Sequence, residues 1–310
     1  VSEPTPVIEA PKRRGRLVAI IVALAVVVAA VVIFLATRGG ADESADDSKT
    51  WRIGVVGASD PYWAEYEKAA KKAGLDVDIV DFTDYAQPNP AVAEGDLDLN
   101  QFQHIVYLAD YNVSNDQDLV PVGATAIYPL GLYSKKYTDV ADIPDDATVA
   151  VPNDASNQAR GLLVLQSAGL IELKDGGTIF SDLADVDTSA SRVKVTALDA
   201  NVTATSLDDV AAAIVNNDFV EKAGLTFSDA IAQDDPSDPN ALPYVNVFAA
   251  RADEADDPSV KKLVEVYQDT KAVTDGVQEV SGDTAVLLKT PVDQLVAALK
   301  KTEQQTADQK

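Results

Sequence analysis

Four short stretches bring aromatic rings together with amides, carboxylates and a lone cation, and they are where this sequence could do chemistry. They are DFTDYAQPN at 81–89, NQFQH at 100–104 with Tyr107 close behind, PNDASNQAR at 152–160, and VNNDF at 215–219. Each falls at the end of an expected strand or the start of an expected helix, where side chains project past the framework. Amides and rings at such corners offer hydrogen bonds and polarizable walls, which suit the holding of a small molecule.

Catalytic signatures are missing. The chain has no Walker A sequence, no H-E-x-x-H and no G-x-S-x-G, and it contains one histidine, His104. A triad through His104 lacks a serine in a nucleophile-elbow setting. Cysteine is absent, which removes disulfides, thiolate metal ligands and cysteine nucleophiles. A zinc site would need carboxylates almost alone, which zinc rarely accepts. The glycine pairs at Gly39 and Gly176 lack the strand, loop and helix frame of a phosphate cradle. The expectation is a protein that is not an enzyme and uses no metal or cofactor.

The net charge is −25 over 310 residues. Five basic residues and two acidic ones lie in the first 40 positions, so the remainder carries −28. A surface so acidic repels phosphate backbones, and nucleic-acid binding is disfavoured.

A scaffold must position the four stretches, and the chain alternates strand and helix signals. WRIGVVG (51–57) reads as a strand, 62–73 as a helix stopped by Gly74, DVDIVDF (76–82) as a second strand, 90–95 as a short helix and 98–102 as another strand. A second series follows: strand 148–151, helix 155–168, strand 193–198, helix start 206–210 and strand 211–215. Residues 244–251 read as a strand, and from Pro258 the pattern is helical apart from a loop around 281–283. Alternation of this kind implies doubly wound α/β lobes, and the length suits two of them with a cleft between. The expected division is 51–125 with 251–310 as lobe 1 and 126–250 as lobe 2.

Residues 17–36, LVAIIVALAVVVAAVVIFLA, are apolar without a charge and long enough to cross a hydrocarbon core of about 30 Å. Basic residues concentrate in 1–16, so the expectation is a single-pass transmembrane helix with a cytoplasmic N-terminus and the body outside the cell membrane. A cleaved signal peptide is the alternative, but its apolar region would span only about 7–15 residues and end in a small-residue site, whereas this run ends LATRGG. Residues 37–50 read as a flexible linker.

The sequence resembles the methionine-binding lipoproteins, also called the NlpA lipoproteins. That family's F-x-D-Y, P-N, A-L-A-E-G and F-Q-H are matched by FTDYAQPNPAVAEGDLDLNQFQH, its Y-P-x-x-x-Y-S-K-K by YPLGLYSKK, and its V-A-V-P-N-D-x-x-N-x-x-R by VAVPNDASNQAR. LPYVNVFAAR matches a further family segment, and the likeness runs in order from Trp51 to Val280. It implies a two-lobed periplasmic-binding-protein (type II) fold that closes on L-methionine and delivers it to the permease and ATPase subunits of an ABC importer. D-methionine, a methionine dipeptide or another apolar amino acid are alternative ligands, and a surface adhesin or sensor is an alternative role.

On this resemblance Arg160 would hold the ligand carboxylate, Asn157 and Asn216 its polar head, and Phe82, Tyr85, Tyr107 and Tyr128 its thioether, with His104 as a neutral wall. The residue types leave other uses open. Arg160 could form a salt bridge, either asparagine could cap a helix, and the rings and His104 could be core. The sequence departs from the family at three places: the lipid-bearing cysteine is replaced by the apolar run, G-P-H-A-E by DPYWAEYE, and the usual tyrosine after Asn216 by Phe219. Asp218 is an unusual charge there, and Trp63 is a new bulk near the first lobe's side of the cleft.

Overall fold

The computed structural model describes residues 49–238 and 241–309. The expected transmembrane segment 17–36, its basic flank and most of the linker lie outside the described residues. Among the described residues no helix is long and apolar enough to cross a membrane.

The chain opens with β1 (Thr50–Val56), α1 (Pro61–Lys72), β2 (Asp76–Phe82), α2 (Pro88–Ala93), β3 (Leu99–His104), α3 (Ile105–Asn115) and β4 (Val120–Ala124). Helix α1 shows how local sequence sets these elements. Pro61 occupies its first turn, where a missing N–H costs nothing, and Lys71 and Lys72 sit at the negative end of the dipole. Gly74 then takes φ +83°, a left-handed conformation that stops the helix. Tyr62, Tyr66 and Ala70 recur every four residues and, with Trp63, are buried against the sheet.

The strand β5 (Ala126–Ile127) leads out of this lobe into β6 (Gly131–Tyr133), β7 (Thr148–Pro152), α4 (Ala155–Ser167), β8 (Lys194–Leu198), α5 (Ala200–Thr203), β9 (Ala212–Val215), α6 (Asn217–Val220) and β10 (Ala232–Gln233). The last section comprises β11 (Asn246–Ala250), α7 (Pro258–Asp269), α8 (Lys271–Val280), β12 (Val286–Leu287) and α9 (Val292–Ala307).

Two five-stranded sheets result, ordered β2-β1-β3-β11-β4 and β10-β6-β9-β7-β8. The two-lobed α/β architecture is therefore present, but its boundary differs from expectation at one strand. The sequence pattern places residues 246–250 in lobe 2, whereas β11 lies inside the first sheet, antiparallel to both β3 and β4. All five of its residues are buried, and an interior strand satisfies its backbone only by bonding along both edges. The chain thus re-enters lobe 1 before Asn246.

The uniformly helical C-terminal part also needs correction, because β12 interrupts it and pairs antiparallel with β5. Helix α3 follows β3 without a loop, in a stretch where the sequence pattern marks no helix.

The residues of β11 alternate between two cores: Phe248 and Ala250 pack with Tyr66, Leu263 and Tyr267, while Val247 and Ala249 pack with Leu108, Leu295 and Leu299. Lobe 2 has its own core, built on Leu132, Val149, Leu162 and Ile214. A fourth cluster joins the lobes, with Val56, Tyr85 and Phe102 from the first against Tyr133, Val215 and Phe219 from the second. The cleft is closed around that cluster.

Candidate ligand-binding site

Strand β7 delivers the chain to the start of α4, and Asp154 caps that helix by accepting from the Asn157 backbone N–H at 2.9 Å. Asn157 is therefore not the cap. Its side chain faces the cleft, where Nδ2 donates to Asp154 Oδ1 at 2.9 Å and Oδ1 accepts from Asn216 Nδ2 at 2.9 Å. Asn216 stands at the N-cap position of α6 but makes no side-chain capping bond. Its Oδ1 is buried with no hydrogen-bond partner among the described residues.

Arg160 lies one turn further along α4. Its Nε meets Asp234 Oδ2 at 2.6 Å, and its Nη2 donates to Asp234 Oδ1 at 3.1 Å and to the Tyr128 carbonyl at 2.8 Å. The guanidinium also lies 4.4 Å from the centre of the Tyr244 ring. The salt bridge is thus real, and Arg160 nevertheless lines the cavity.

From the opposite lobe, His104 caps α3 by accepting from the Tyr107 N–H on Nδ1 at 3.1 Å. That bond leaves the proton on Nε2, which donates across the cleft to Asn157 Oδ1 at 3.3 Å. Burial, reinforced by the Arg160 charge, pushes the imidazole down to about 3, so His104 is neutral.

Tyr85, Phe102 and Tyr107 form an aromatic wall with ring centres 5.6–6.1 Å apart. Phe219 of the second lobe closes on Tyr85 at 5.2 Å. The Tyr107 hydroxyl donates to the Tyr85 carbonyl at 2.9 Å, which fixes one ring on the other. Together these groups and Tyr128 line a small cavity between the lobes. One wall is amide and guanidinium, and the other is aromatic.

Seven of the eight expected residues meet here: Arg160, Asn157, Asn216, Tyr85, His104, Tyr107 and Tyr128. Phe82 does not. Its ring sits over Gly54, where a Cβ would come within 3.0 Å of it, and it lines a neighbouring depression with Asp81 and Asn201. The chain bends between Phe82 and Tyr85, and of the two rings it is Tyr85 that lines the cavity.

Trp63 is also away from the cavity, buried with Tyr66 and Tyr267 in the first-lobe core at ring distances of 5.7 Å. Phe102, Gln103, Asn217 and Asn246 line the cavity in addition. Gln103 is held by a buried network in which it accepts from Asn89 Nδ2 at 2.7 Å and donates to Asn100 Oδ1 at 2.8 Å. Asp234 is the principal residue that sequence reasoning missed, since one carboxylate among 50 acidic residues carries no distinguishing signal.

The sequence model of the NlpA lipoproteins matches residues 52–287. This chain belongs to the NlpA lipoprotein family. A D-methionine-binding lipoprotein of Escherichia coli is 40% identical over 234 residues, spanning 74% of this chain and 85% of that protein. Among solved structures, protein PG110 of Staphylococcus aureus superposes with a TM-score of 0.77 at 34% identity, covering 81% of this chain and 99% of its own. A nutrient-binding protein of Burkholderia cenocepacia, solved bound to methionine, gives a TM-score of 0.71 at 37% identity, covering 76% and 99%. Membership in this family of two-lobed substrate-binding proteins accords with the lack of catalytic motifs.

Proposed function

We propose that this chain is the extracytoplasmic substrate-binding component of an ABC importer and that its cleft takes L-methionine. The observation that carries the reading is the pairing of two open hydrogen-bonding positions on one wall. Asn216 Oδ1 is a buried acceptor without a partner among the described residues, suited to an ammonium group. Arg160 Nη1 makes no hydrogen bond to a described residue, while the other two nitrogens are held by Asp234 and Tyr128. A carboxylate can engage that nitrogen. Facing them, Tyr85, Phe102 and Tyr107 offer rings to a thioether, a contact worth about 0.3–1.5 kcal/mol.

The protein performs no chemistry in this reading. Ligand contacts made only when the lobes meet shift the population toward the closed form, and the permease with its ATPase subunit recognises that form. The hinge is the pair of crossings, 125–130 outward and, among the described residues, 234–238 and 241–245 back. Residues 17–36 anchor the chain in the cell membrane with the lobes outside.

Isothermal titration of the purified full chain with L-methionine, D-methionine and a methionine-containing dipeptide tests the reading. Tightest binding of L-methionine is expected. Preference for D-methionine or the dipeptide would change the ligand and keep the role, and no binding of any amino acid would favour an adhesin or sensor.

A further inference from the structure

Asp218 is a carboxylate that the fold sets between the lobes. It belongs to α6 of lobe 2, yet its Oδ2 accepts from the Tyr85 hydroxyl of lobe 1 at 2.7 Å, while Oδ1 accepts from Asn217 Nδ2 at 2.7 Å. Tyr85 is a wall of the ligand cavity, fixed on its other sides by the Phe102, Tyr107 and Phe219 rings. One lobe therefore holds, by a single charge-capable acceptor, a ring that the other lobe contributes to the cavity. No other hydrogen bond anchors the Tyr85 hydroxyl among the described residues.

We propose that Asp218 is a positioning residue: by taking the Tyr85 hydroxyl across the cleft it couples lobe closure to the placement of the aromatic wall, and it makes ligand affinity fall as the pH rises. The proposal rests on reading the cavity as the ligand site.

The surroundings give the direction. Asp218 borders a second depression with Asp60 and Tyr62 of lobe 1, Tyr128 of the crossing, and Glu221 and Lys222 of its own lobe. Tyr267 of α7 also feels its charge. Burial pushes the Asp218 carboxyl up to about 7, against the lowering effects of the Tyr85 bond and Lys222 and with a further rise from Asp60. Asp60 is pushed up to about 6 by burial, with Lys222 opposing and Glu221 and Asp81 adding to the rise.

When the lobes part, Asp218 meets water and returns toward the ordinary carboxylate value of 3.8. The closed form thus holds its proton more tightly than the open form. Its advantage is complete below the open-form value and is lost as the pH rises to the closed-form value, about 7. Asp60 acts with the same sign, so a variant is needed to assign the effect.

The test uses the full chain, whose lack of cysteine allows two unique spin labels, at Lys72→Cys and Asp209→Cys on exposed surfaces of the two lobes. Lobe separation is read by pulsed electron resonance, and L-methionine affinity by calorimetry. The parent is expected to lose roughly fiftyfold or more in affinity between about pH 5 and about pH 7.5. Asp218→Asn, whose amide oxygen still accepts from Tyr85, should flatten most of that loss and bind at least as tightly as the parent at the higher pH. Asp218→Ala should lengthen the lobe separation without ligand and weaken binding about tenfold at the lower pH. An Asp218→Ala protein with parental distances and affinity overturns the proposal, as does an Asp218→Asn protein with the parental pH slope. A parent that binds no amino acid sinks the ligand assignment alone, because the lobe distances still report whether Asp218 ties the halves together.

Discussion

Arg160 and Asp234 meet edge to edge, Nε to Oδ2 at 2.6 Å and Nη2 to Oδ1 at 3.1 Å, across 74 residues of sequence. The carboxylate belongs to the returning crossing, and its Oδ1 also accepts from the Leu130 N–H of the outgoing crossing at 2.8 Å. Asp234 therefore orients the guanidinium, neutralises its charge before any ligand arrives, and ties both crossings to α4. The fork is pinned with one nitrogen left for a ligand, an arrangement that an ammonium cannot reproduce.

Arg160→Lys is accordingly expected to weaken L-methionine by about 2 kcal/mol, and Arg160→Ala by at least as much. Calorimetry on the two variants is the measurement, and parental affinity in either would remove the carboxylate role. The alanine variant should also lower thermal stability, because Asp234 loses its counter-ion while partly covered.

Asn216 separates binding from folding in a different way. Its Oδ1 is a buried acceptor with no partner among the described residues, so Asn216→Ala removes one unsatisfied group along with one bond to Asn157. Melting temperature should change little, while affinity for L-methionine should fall by about 1–2 kcal/mol. A variant that melts early and binds normally would show Asn216 to be structural.

Much of this was legible before the fold was known, for identifiable reasons. Strand β2 alternates apolar and acidic residues over 76–82, and the structure places its strand on those same residues. Seven of the eight candidate side chains converge because strand ends and helix starts all open on one cleft. What escaped was long-range. Nothing local in NVFAA says that it will slot between β3 and β4, since a buried apolar strand reads the same in either lobe. Phe82 is the last residue of β2, so the period-2 pattern gives its face but not whether that face opens on the cleft.

Gly276 offers a test of the first-lobe packing independent of the site. It lies in α8, where a Cβ would stand 2.6 Å from the Tyr62 Cβ and 3.4 Å from its Cα. The helices α1 and α8 touch at this point, and neither a backbone atom nor a Cβ can swing aside. Gly276→Val should therefore destabilise the protein by about 1–3 kcal/mol in urea unfolding, despite a better helix propensity. An unchanged midpoint would mean that the two helices are not so closely apposed.

His104 makes stability depend on pH with a sign opposite to that of the raised carboxylates. Its folded-state value, about 3, lies below the ordinary 6.5, so the unfolded chain binds the proton that the native imidazole refuses. The native state is at full advantage above the ordinary value and loses it as the pH falls toward the folded value. Between pH 6.5 and about pH 5 the loss attributable to His104 is about 2 kcal/mol. Asp218 and Asp60 gain stability over the same acid range, so the parent's curve is a partial cancellation. The difference between parent and His104→Gln isolates the imidazole, because the glutamine keeps an amide donor but cannot titrate. Urea unfolding of both proteins at several pH values should show the parent losing ground to the variant on acidification; parallel curves would mean that the imidazole accepts its proton inside the folded cleft.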